Sequence, residues 1–186
     1  FYPEFLIRNG KVEKLQNEAA PKWKRWQDPN LPQAGRGVAI KKVQYAPDLF
    51  TKDALRFIEK NKDNPFFLYF AMNVPHTNNE AGNQGMEVPD IGEFDEKNWP
   101  EPEKGFAAMI KNIDRDVGQI IDLINELNLA NNTLVIFTSD NGPHQEGGHR
   151  ADFFNSSGPF RGMKRDLTEG GIRVPTIAWW PGKIKA

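Results

Sequence analysis

Two neighbouring oxygen donors stand out in the sequence because they follow a short apolar run. Ser139-Asp140-Asn141-Gly142-Pro143 comes directly after Leu134-Val135-Ile136-Phe137-Thr138. The carboxylate of Asp140 and the amide oxygen of Asn141 are hard donors of the kind that Ca²⁺ or Mg²⁺ binds. Asp-Asn-Gly-Pro is also ordinary turn chemistry. The motif by itself therefore leaves a metal site and a simple turn both open.

Three histidines are further candidates for acid–base or ligand chemistry. His76 follows another apolar run, 66–71, and histidine is the side chain whose charge changes near neutral pH. His144 and His149 lie close enough in sequence to be read as a zinc clamp. The two glycines between them and the lack of a helical pattern favour a flexible loop instead.

A glycine-rich basic segment follows at 158–175 and holds Arg161, Lys164 and Arg165 within five positions. Glycines let a backbone come close to a ligand. Lysine is a compact donor for an oxyanion, and arginine can clamp one with two hydrogen bonds. We call Asp140 and Asn141 the oxygen pair. Together with the oxygen pair and His76, the basic residues suit hydrolysis or transfer of a tetrahedral oxyanion, either sulfate or phosphate.

The elements that must position these residues alternate between helix and strand. Helical periodicity predicts a helix over 51–62, with Thr51 as its N-cap, and a longer helix over 103–128. Continuous apolar runs predict strands, the first of them covered on both faces, at 66–71, 134–138 and 175–180. The order indicates an α/β fold with a largely parallel sheet, in which ligands bind beyond the carboxyl ends of the strands.

Two other charged or aromatic patterns have plainer interpretations. Asp114, Arg115, Asp116 and Asp122 fall on one side of the longer helix and predict a solvated face, not a catalytic carboxylate pair. Trp23-Lys24-Arg25-Trp26 is either a stacking surface for a nucleic acid or sugar, or a loop pinned by two tryptophans. Residues 1–47 otherwise look loop-rich, with a short strand at 5–7 before an Asn9-Gly10 hairpin turn.

Composition excludes several classes of protein. The 186 residues suit one domain. Basic and acidic residues number 24 and 25, which gives a net charge of −1 and disfavours a nucleic-acid binder driven by bulk charge. No run of about 20 apolar residues occurs, so no membrane span is predicted. Cysteine is absent, which removes disulfides, cysteine nucleophiles and thiolate metal sites.

Several stretches together resemble the catalytic domain of the sulfatases, which belong to the alkaline-phosphatase-like superfamily. They cover nearly the whole chain and include Tyr2 to Gly10, Ala71 to His76, Met109 to Gly118, Ser139 to Pro143, Lys164, and Glu169 to Pro175. The resemblance implies an alkaline-phosphatase-like sulfatase fold that is incomplete in this chain. Residues 1–186 would be the middle-to-late part of one catalytic domain, with a lead-in at 1–47 and an α/β core at 48–186.

The resemblance also implies roles for individual residues. Asp140 and Asn141 would be ligands of a divalent cation, usually Ca²⁺, with Mg²⁺ as the alternative. Lys164 would contact the sulfate and the leaving-group oxygen, and His76 would contact the sulfate and protonate the leaving group. Three further residues are candidates for substrate recognition: His144, His149 and Arg173. For Arg173 and Glu169, a scaffold role is an equal alternative.

Two sulfatase elements do not occur in this sequence. One is the paired-aspartate segment that supplies the other metal ligands. The other is the Cys/Ser-x-Pro-Ser-Arg motif, whose Cys or Ser becomes the formylglycine nucleophile. We therefore expect an internal fragment of a sulfuric ester hydrolase, with formylglycine outside this chain. The expected substrate is a sulfated small molecule or carbohydrate, with no nucleic-acid or membrane partner, and the expected location is periplasmic or secreted.

Two other functions stay open on the sequence alone. A metal-dependent phosphodiesterase or phosphonate hydrolase of the same superfamily would share the sheet and the metal edge. A catalytically silent glycan-binding protein would use Trp23, Trp26, Trp99 and the loop at 143–154 as its surface. The joint presence of four polar residues favours the enzymes over the binding protein; they are His76, Asp140, Asn141 and Lys164.

Residues 1–186 by themselves are expected to be inactive on sulfate esters, because they lack the nucleophile. They are also expected to bind Ca²⁺ weakly, since two ligands are few for an ion that takes six to eight oxygens. Turnover assays and calorimetry check this. Turnover above background that disappears in Lys164→Ala, or micromolar Ca²⁺ affinity, would contradict the prediction.

Overall fold

The computed structural model describes residues 1–20 and 37–185, which fall into two compact units. The described parts of Phe1–Thr51, Met72–Ile113 and Glu146–His149 form the first unit. The described parts of Lys52–Ala71, Asp114–Gln145 and Arg150–Ala186 form the second. Trp23-Lys24-Arg25-Trp26 lies outside the described residues.

The first unit begins with the predicted hairpin. Strand β1 (Phe5–Arg8) pairs antiparallel with β2 (Lys11–Lys14). Asn9 and Gly10 connect them with φ angles of 50° and 76°. Positive φ at both central residues is what a type I′ turn requires, and Asn-Gly is the pair that tolerates it best.

A second antiparallel pair follows in the first unit, between β3 (Glu18–Ala19) and β4 (Ala39–Lys41). The side chain of Asn17, 4% exposed, fastens this region. Its Nδ2 donates to the carbonyls of Pro3 and Gln44 at 2.8 and 2.9 Å, and its Oδ1 accepts from two backbone amides. The described part of the lead-in, predicted as loop-rich with one short strand, therefore contains four short strands.

Helix α1 (Ala46–Asn61) begins earlier than predicted. Thr51 lies inside the helix and not at its N-cap, so that expectation is wrong. Its Oγ1 donates to the carbonyl of Pro47 at 3.1 Å, the back-bond that a threonine inside a helix makes with the preceding turn. The buried stripe is centred on Ala54 and Ile58, which are 4% and 1% exposed.

Helix α2 (Glu101–Glu126) confirms the longer predicted helix. Met109 on this helix is 0% exposed and packs with Val74 and Met86 in the core of the first unit. The solvated face is wrong for Asp116, which is 1% exposed. Asp116 pairs with Arg115 Nη2 at 2.7 Å, and a buried carboxylate is tolerated when it is paired in this way.

Aromatic residues build a second core cluster of the first unit. Tyr2 and Tyr45 are both buried, with ring centroids 5.3 Å apart. The Tyr45 hydroxyl donates to the carbonyl of Glu87 at 3.0 Å. Burial raises the pKa of Tyr2 to about 12, and the nearby carboxylates of Glu87 and Asp48 add to the shift.

The second unit contains two of the three predicted strands. Strand β5 (Val135–Phe137) pairs with β6 (Ile177–Trp179), but the pairing is antiparallel, so the expected parallel arrangement is wrong for these two strands. Residues 66–71 are not a strand, because no described strand offers them a hydrogen-bonded partner. Phe67 and Tyr69 are 86% and 81% exposed, contrary to the expected cover on both faces.

Short helices lie between the longer elements of the described chain. Three are 3₁₀ turns, at Asn79–Gln84, Gly92–Phe94 and Ala130–Asn132. A four-residue helix, α3 (Glu169–Ile172), lies between β5 and β6 in the chain. The mixture of helices and strands is that of an incomplete α/β domain. None of the helices described has both the length and the apolar character that crossing a membrane demands.

The core of the first unit predicts a sharp contrast between two adjacent positions on α2. Met109→Ala removes a fully buried side chain and should lower the free energy of unfolding by about 2–5 kcal/mol. Ile110→Ala is the matched control, because Ile110 is 44% exposed and should cost much less. Chemical denaturation of the two variants measures both values. Equal losses would contradict the described core.

Candidate active site

The oxygen pair lies at the end of β5 in the second unit, as the sequence predicted. The carboxylate of Asp140 is exposed and makes no hydrogen bond or ion pair with the described residues. Asn141 is half-buried, and its Nδ2 donates to the carbonyl of Gly142 at 2.9 Å. This bond uses Nδ2 and leaves Oδ1 as the acceptor of the amide group.

Four glycines, Gly142, Gly162, Gly170 and Gly171, form a backbone-to-backbone contact behind this pair, which we call the glycine contact. The Gly142 amide donates to the carbonyl of Gly171 at 2.9 Å. A Cβ on Gly142 would lie under 3.0 Å from the Gly170 carbonyl oxygen. A Cβ on Gly170 would come equally close to the Gly162 carbonyl oxygen. Only glycine permits chains to pack at these distances.

The same contact places Lys164. Its backbone amide donates to the carbonyl of Pro143 at 2.8 Å. The loop around it is closed by Asp166, whose Oδ2 accepts from the Met163 amide at 2.9 Å. Pro143 belongs to the turn that carries Asp140 and Asn141, so the structure brings the Lys164 backbone next to the oxygen pair. The Lys164 side chain is half-buried.

Arg173 lies at the end of α3 and is engaged with its own surroundings. Its Nε donates to the Glu169 carboxylate one turn earlier. Its guanidinium also lies over the Phe160 ring, 4.8 Å from the centroid. These contacts support the scaffold interpretation of Arg173 and Glu169, and substrate contact by Arg173 stays a prediction.

His76 lies in the first unit, with its side chain 48% exposed. Its Nδ1 is 2.7 Å from the carbonyl of Thr77, so we assign the Nδ1 proton to that hydrogen bond. The other ring nitrogen, Nε2, lies 4.0 Å from Oε2 of Glu146. Nε2 is therefore the ring nitrogen that faces Glu146.

His149 is a buried residue of the first unit and not part of a flexible loop, so that expectation is wrong. Its Nδ1 lies 2.5 Å from Oε2 of Glu103, and the two side chains are 0% and 1% exposed. Its ring stacks on Phe106 with centroids 3.8 Å apart. His144 is also buried, at 6%, but belongs to the second unit.

The described residues contain no group of three or more His, Cys, Asp and Glu side chains that could hold a metal ion. Asparagine is not among these four residue types, so this result does not exclude a metal site at Asp140 and Asn141. Glu146 lies near His76 and Glu103 near His149, and neither glutamate was predicted as a site residue. Nothing in the local sequence could have found Glu103, because its partner His149 lies 46 positions further along the chain.

Comparison with known proteins gives a consistent picture. The sequence model of the sulfatase family matches residues 3–186. N-acetylgalactosamine-6-sulfatase of Mus musculus is 37% identical over 145 residues, which are 74% of this chain and 24% of that protein. N-acetylgalactosamine-6-O-sulfatase of Bacteroides thetaiotaomicron is 32% identical over 162 residues, 79% of this chain and 28% of that protein. The chain thus spans about a quarter of the length of these relatives.

Two solved structures are similar in fold. Ps i-CgsB in complex with k-i-k-neocarrahexaose is 30% identical with a TM-score of 0.62, over 87% of this chain and 36% of that one. The PsFucS1 sulfatase from Pseudoalteromonas sp. is 30% identical with a TM-score of 0.55, over 75% of this chain and 25% of that one. This likeness confirms the expected α/β, alkaline-phosphatase-like fold class.

The glycine contact makes a specific prediction about stability. Gly170→Ala places a methyl group against two backbone carbonyls and should destabilise the protein by about 1–3 kcal/mol or more, as overpacking does. Gly118→Ala is the matched control, because nothing lies within 4 Å of a Cβ at that position on α2. It should be neutral or stabilise by up to about 1 kcal/mol through helix propensity. Thermal and chemical unfolding measure both changes, and a harmless Gly170→Ala would contradict the described contact.

Proposed function

Because this chain belongs to the sulfatase family, we propose that it supplies part of the active site of a sulfuric ester hydrolase. The observation that carries the proposal is the backbone hydrogen bond from Lys164 to Pro143 beside the glycine contact, which joins Lys164 to the turn that holds Asp140 and Asn141. Since the chain spans about a quarter of its relatives, we propose that it works within a longer polypeptide. That polypeptide would also supply the formylglycine nucleophile and the remaining metal ligands.

The donor chemistry of Asp140 and Asn141 fits a divalent cation, Ca²⁺ or Mg²⁺. One oxygen is a carboxylate without a protein partner among the described residues, and the other is an amide oxygen oriented by the Nδ2 bond to Gly142. Both types are usual ligands of these hard cations. A cation held there would act as a Lewis acid toward a sulfate oxygen.

Lys164 would stabilise negative charge on the substrate. Its ammonium is a compact positive charge that donates up to three hydrogen bonds. Its backbone position is fixed by the bond to Pro143, so the side chain starts from a constrained point. Such a donor acts most strongly on the ester oxygen, where charge develops as the sulfur–oxygen bond breaks.

His76 would contribute the proton for the leaving group, as the family resemblance implies. Its Nδ1–H is held by the Thr77 carbonyl, which leaves Nε2 as the atom that carries the exchangeable proton. A positioned acid of this kind contributes roughly 10²- to 10⁴-fold to a rate. Arg173 keeps a proposed role in substrate recognition. His144 and His149 would act on the substrate only indirectly, because both are buried.

We further propose a sulfated carbohydrate as the substrate. Two relatives are named for the 6-sulfate of N-acetylgalactosamine, and one solved structure holds a neocarrahexaose. Sulfated sugars are large and polar, which agrees with an exposed Asp140 and a half-exposed His76. A periplasmic or secreted location belongs to the same proposal and is supported by the family resemblance alone.

Two variants of the full-length protein test the proposal. Asp140→Asn should abolish most Ca²⁺ binding and turnover, because it removes the one charged ligand of the pair. Lys164→Ala should keep Ca²⁺ binding but lower kcat by about 10²- to 10³-fold, as loss of an oxyanion donor does. Calorimetry and sulfate release from N-acetylgalactosamine 6-sulfate, a neocarrahexaose and 4-nitrophenyl sulfate measure the two effects.

The matched controls for that experiment are Asp122→Asn and Lys183→Ala, which alter exposed side chains of the same unit. Both controls should behave as wild type. Hydrolysis of phosphate esters without sulfate esters would move the function to the phosphodiesterases of the superfamily. Binding of the carbohydrates without any turnover would favour a silent binding protein.

A further inference from the structure

The turn Glu146-Gly147-Gly148-His149 is packed against the segment that carries His76. A Cβ on Gly147 would lie under 3.0 Å from the side chain of Thr77, the residue after His76. The φ of Gly147 is 64°, so this position suits glycine by conformation as well as by space. The turn closes on itself through the His149 amide, which donates to the carbonyl of Glu146 at 3.2 Å.

A buried histidine–carboxylate contact anchors the end of this turn. His149 and Glu103 are 0% and 1% exposed in their side chains and lie 2.5 Å apart. Phe106, one turn further along α2, covers the histidine ring in a stack that is 7° from parallel. A carboxylate is almost never fully buried unless it is paired, so moving His149 away from Glu103 would carry a large cost. The turn is therefore tied to α2.

The consequence for His76 is geometric. The anchored turn holds the Glu146 carboxylate 4.0 Å from His76 Nε2. The Glu146 side chain is 13% exposed, against 48% for His76. The largely buried Glu146 carboxylate can thus orient the more exposed His76 ring. The Thr77 carbonyl holds the opposite side of the ring at Nδ1, 2.7 Å away.

We propose that Glu146 is a positioning residue for His76, and that the His149–Glu103 pair keeps it in place. The proposal rests on the function proposed above. Glu146 and the Thr77 carbonyl together would hold the imidazolium ring in one orientation. Because 4.0 Å exceeds hydrogen-bond distance, Glu146 would leave the Nε2 proton available to the leaving group. As the sulfur–oxygen bond breaks, its electron pair stays on the ester oxygen. That oxygen takes the Nε2 proton and leaves as an alcohol, while the sulfuryl group passes to an oxygen nucleophile.

The test compares leaving groups in the full-length protein. Glu146→Gln should lower kcat about tenfold on the carbohydrate sulfate that wild type cleaves fastest, as partial loss of general acid catalysis. KM should change little, because the carboxylate is not proposed to touch the substrate. On 4-nitrophenyl sulfate the loss should be less than about twofold, since a nitrophenolate leaves without protonation. Glu146→Asp should recover part of the activity.

The matched control is Glu93→Gln, which removes an exposed carboxylate paired with Lys111 in the same unit. It should match wild type on both substrates. Wild-type kcat in Glu146→Gln, or an equal loss on both substrates, would overturn the positioning role while the sulfatase function stands. Thermal unfolding of Glu146→Gln and Glu146→Asp identifies any loss that comes from misfolding. No sulfatase activity in wild type would overturn the function and this inference together.

Discussion

The candidate site depends on a steric constraint, the glycine contact between the turn after β5 and the chain around α3. A Cβ on Gly142 would collide with the Gly170 carbonyl, and a Cβ on Gly170 or Gly171 would collide with the backbone of residues 161–166. A hydrogen bond from the Gly142 amide to Gly171 closes the contact. The candidate site residues Asp140, Asn141 and Lys164 make almost none of these contacts themselves. They are two short polar side chains and one lysine on a closely packed stretch of backbone.

In the first unit, a different interaction holds the turn Glu146-Gly147-Gly148-His149 in place. There the anchor is the buried pair of His149 and Glu103, under the ring of Phe106. Removing the histidine would leave the Glu103 carboxylate buried without this partner, which is costly for a charged group. The pair therefore holds the turn in one arrangement. The two units use close backbone packing in one case and a buried histidine–carboxylate pair in the other.

The features that local pattern determines were predictable from the sequence. The periodicity of α2 placed Met109 in a core, and the Asn9-Gly10 turn indicated the first hairpin. The position of Asp140 and Asn141 after a strand was also predictable, because an apolar run is followed directly by turn residues. Strand β5 confirms it. Their role as metal ligands, like the roles of His76 and Lys164, stays a prediction.

What the sequence did not reveal depends on distant partners. Residues 66–71 have the composition of a strand, but a strand also needs a neighbour, and the described residues provide none. Thr51 has the type of an N-cap, yet the helix begins at Ala46. Asp116 was predicted to be exposed and His149 to lie in a flexible loop, but both are buried. Their burial depends on the side chains packed around them, which local sequence does not show. For His149 the partner is a carboxylate 46 positions away.

The central claim is that the glycine contact builds a cation and sulfate site from Asp140, Asn141 and Lys164. A crystal structure of the full-length protein with Ca²⁺ and a sulfated carbohydrate tests it most directly. The account predicts a cation bound by the Asp140 carboxylate and Asn141 Oδ1, with Lys164 Nζ in hydrogen-bond distance of the sulfate. A cation bound elsewhere, or a sulfate that Lys164 does not reach, would contradict it.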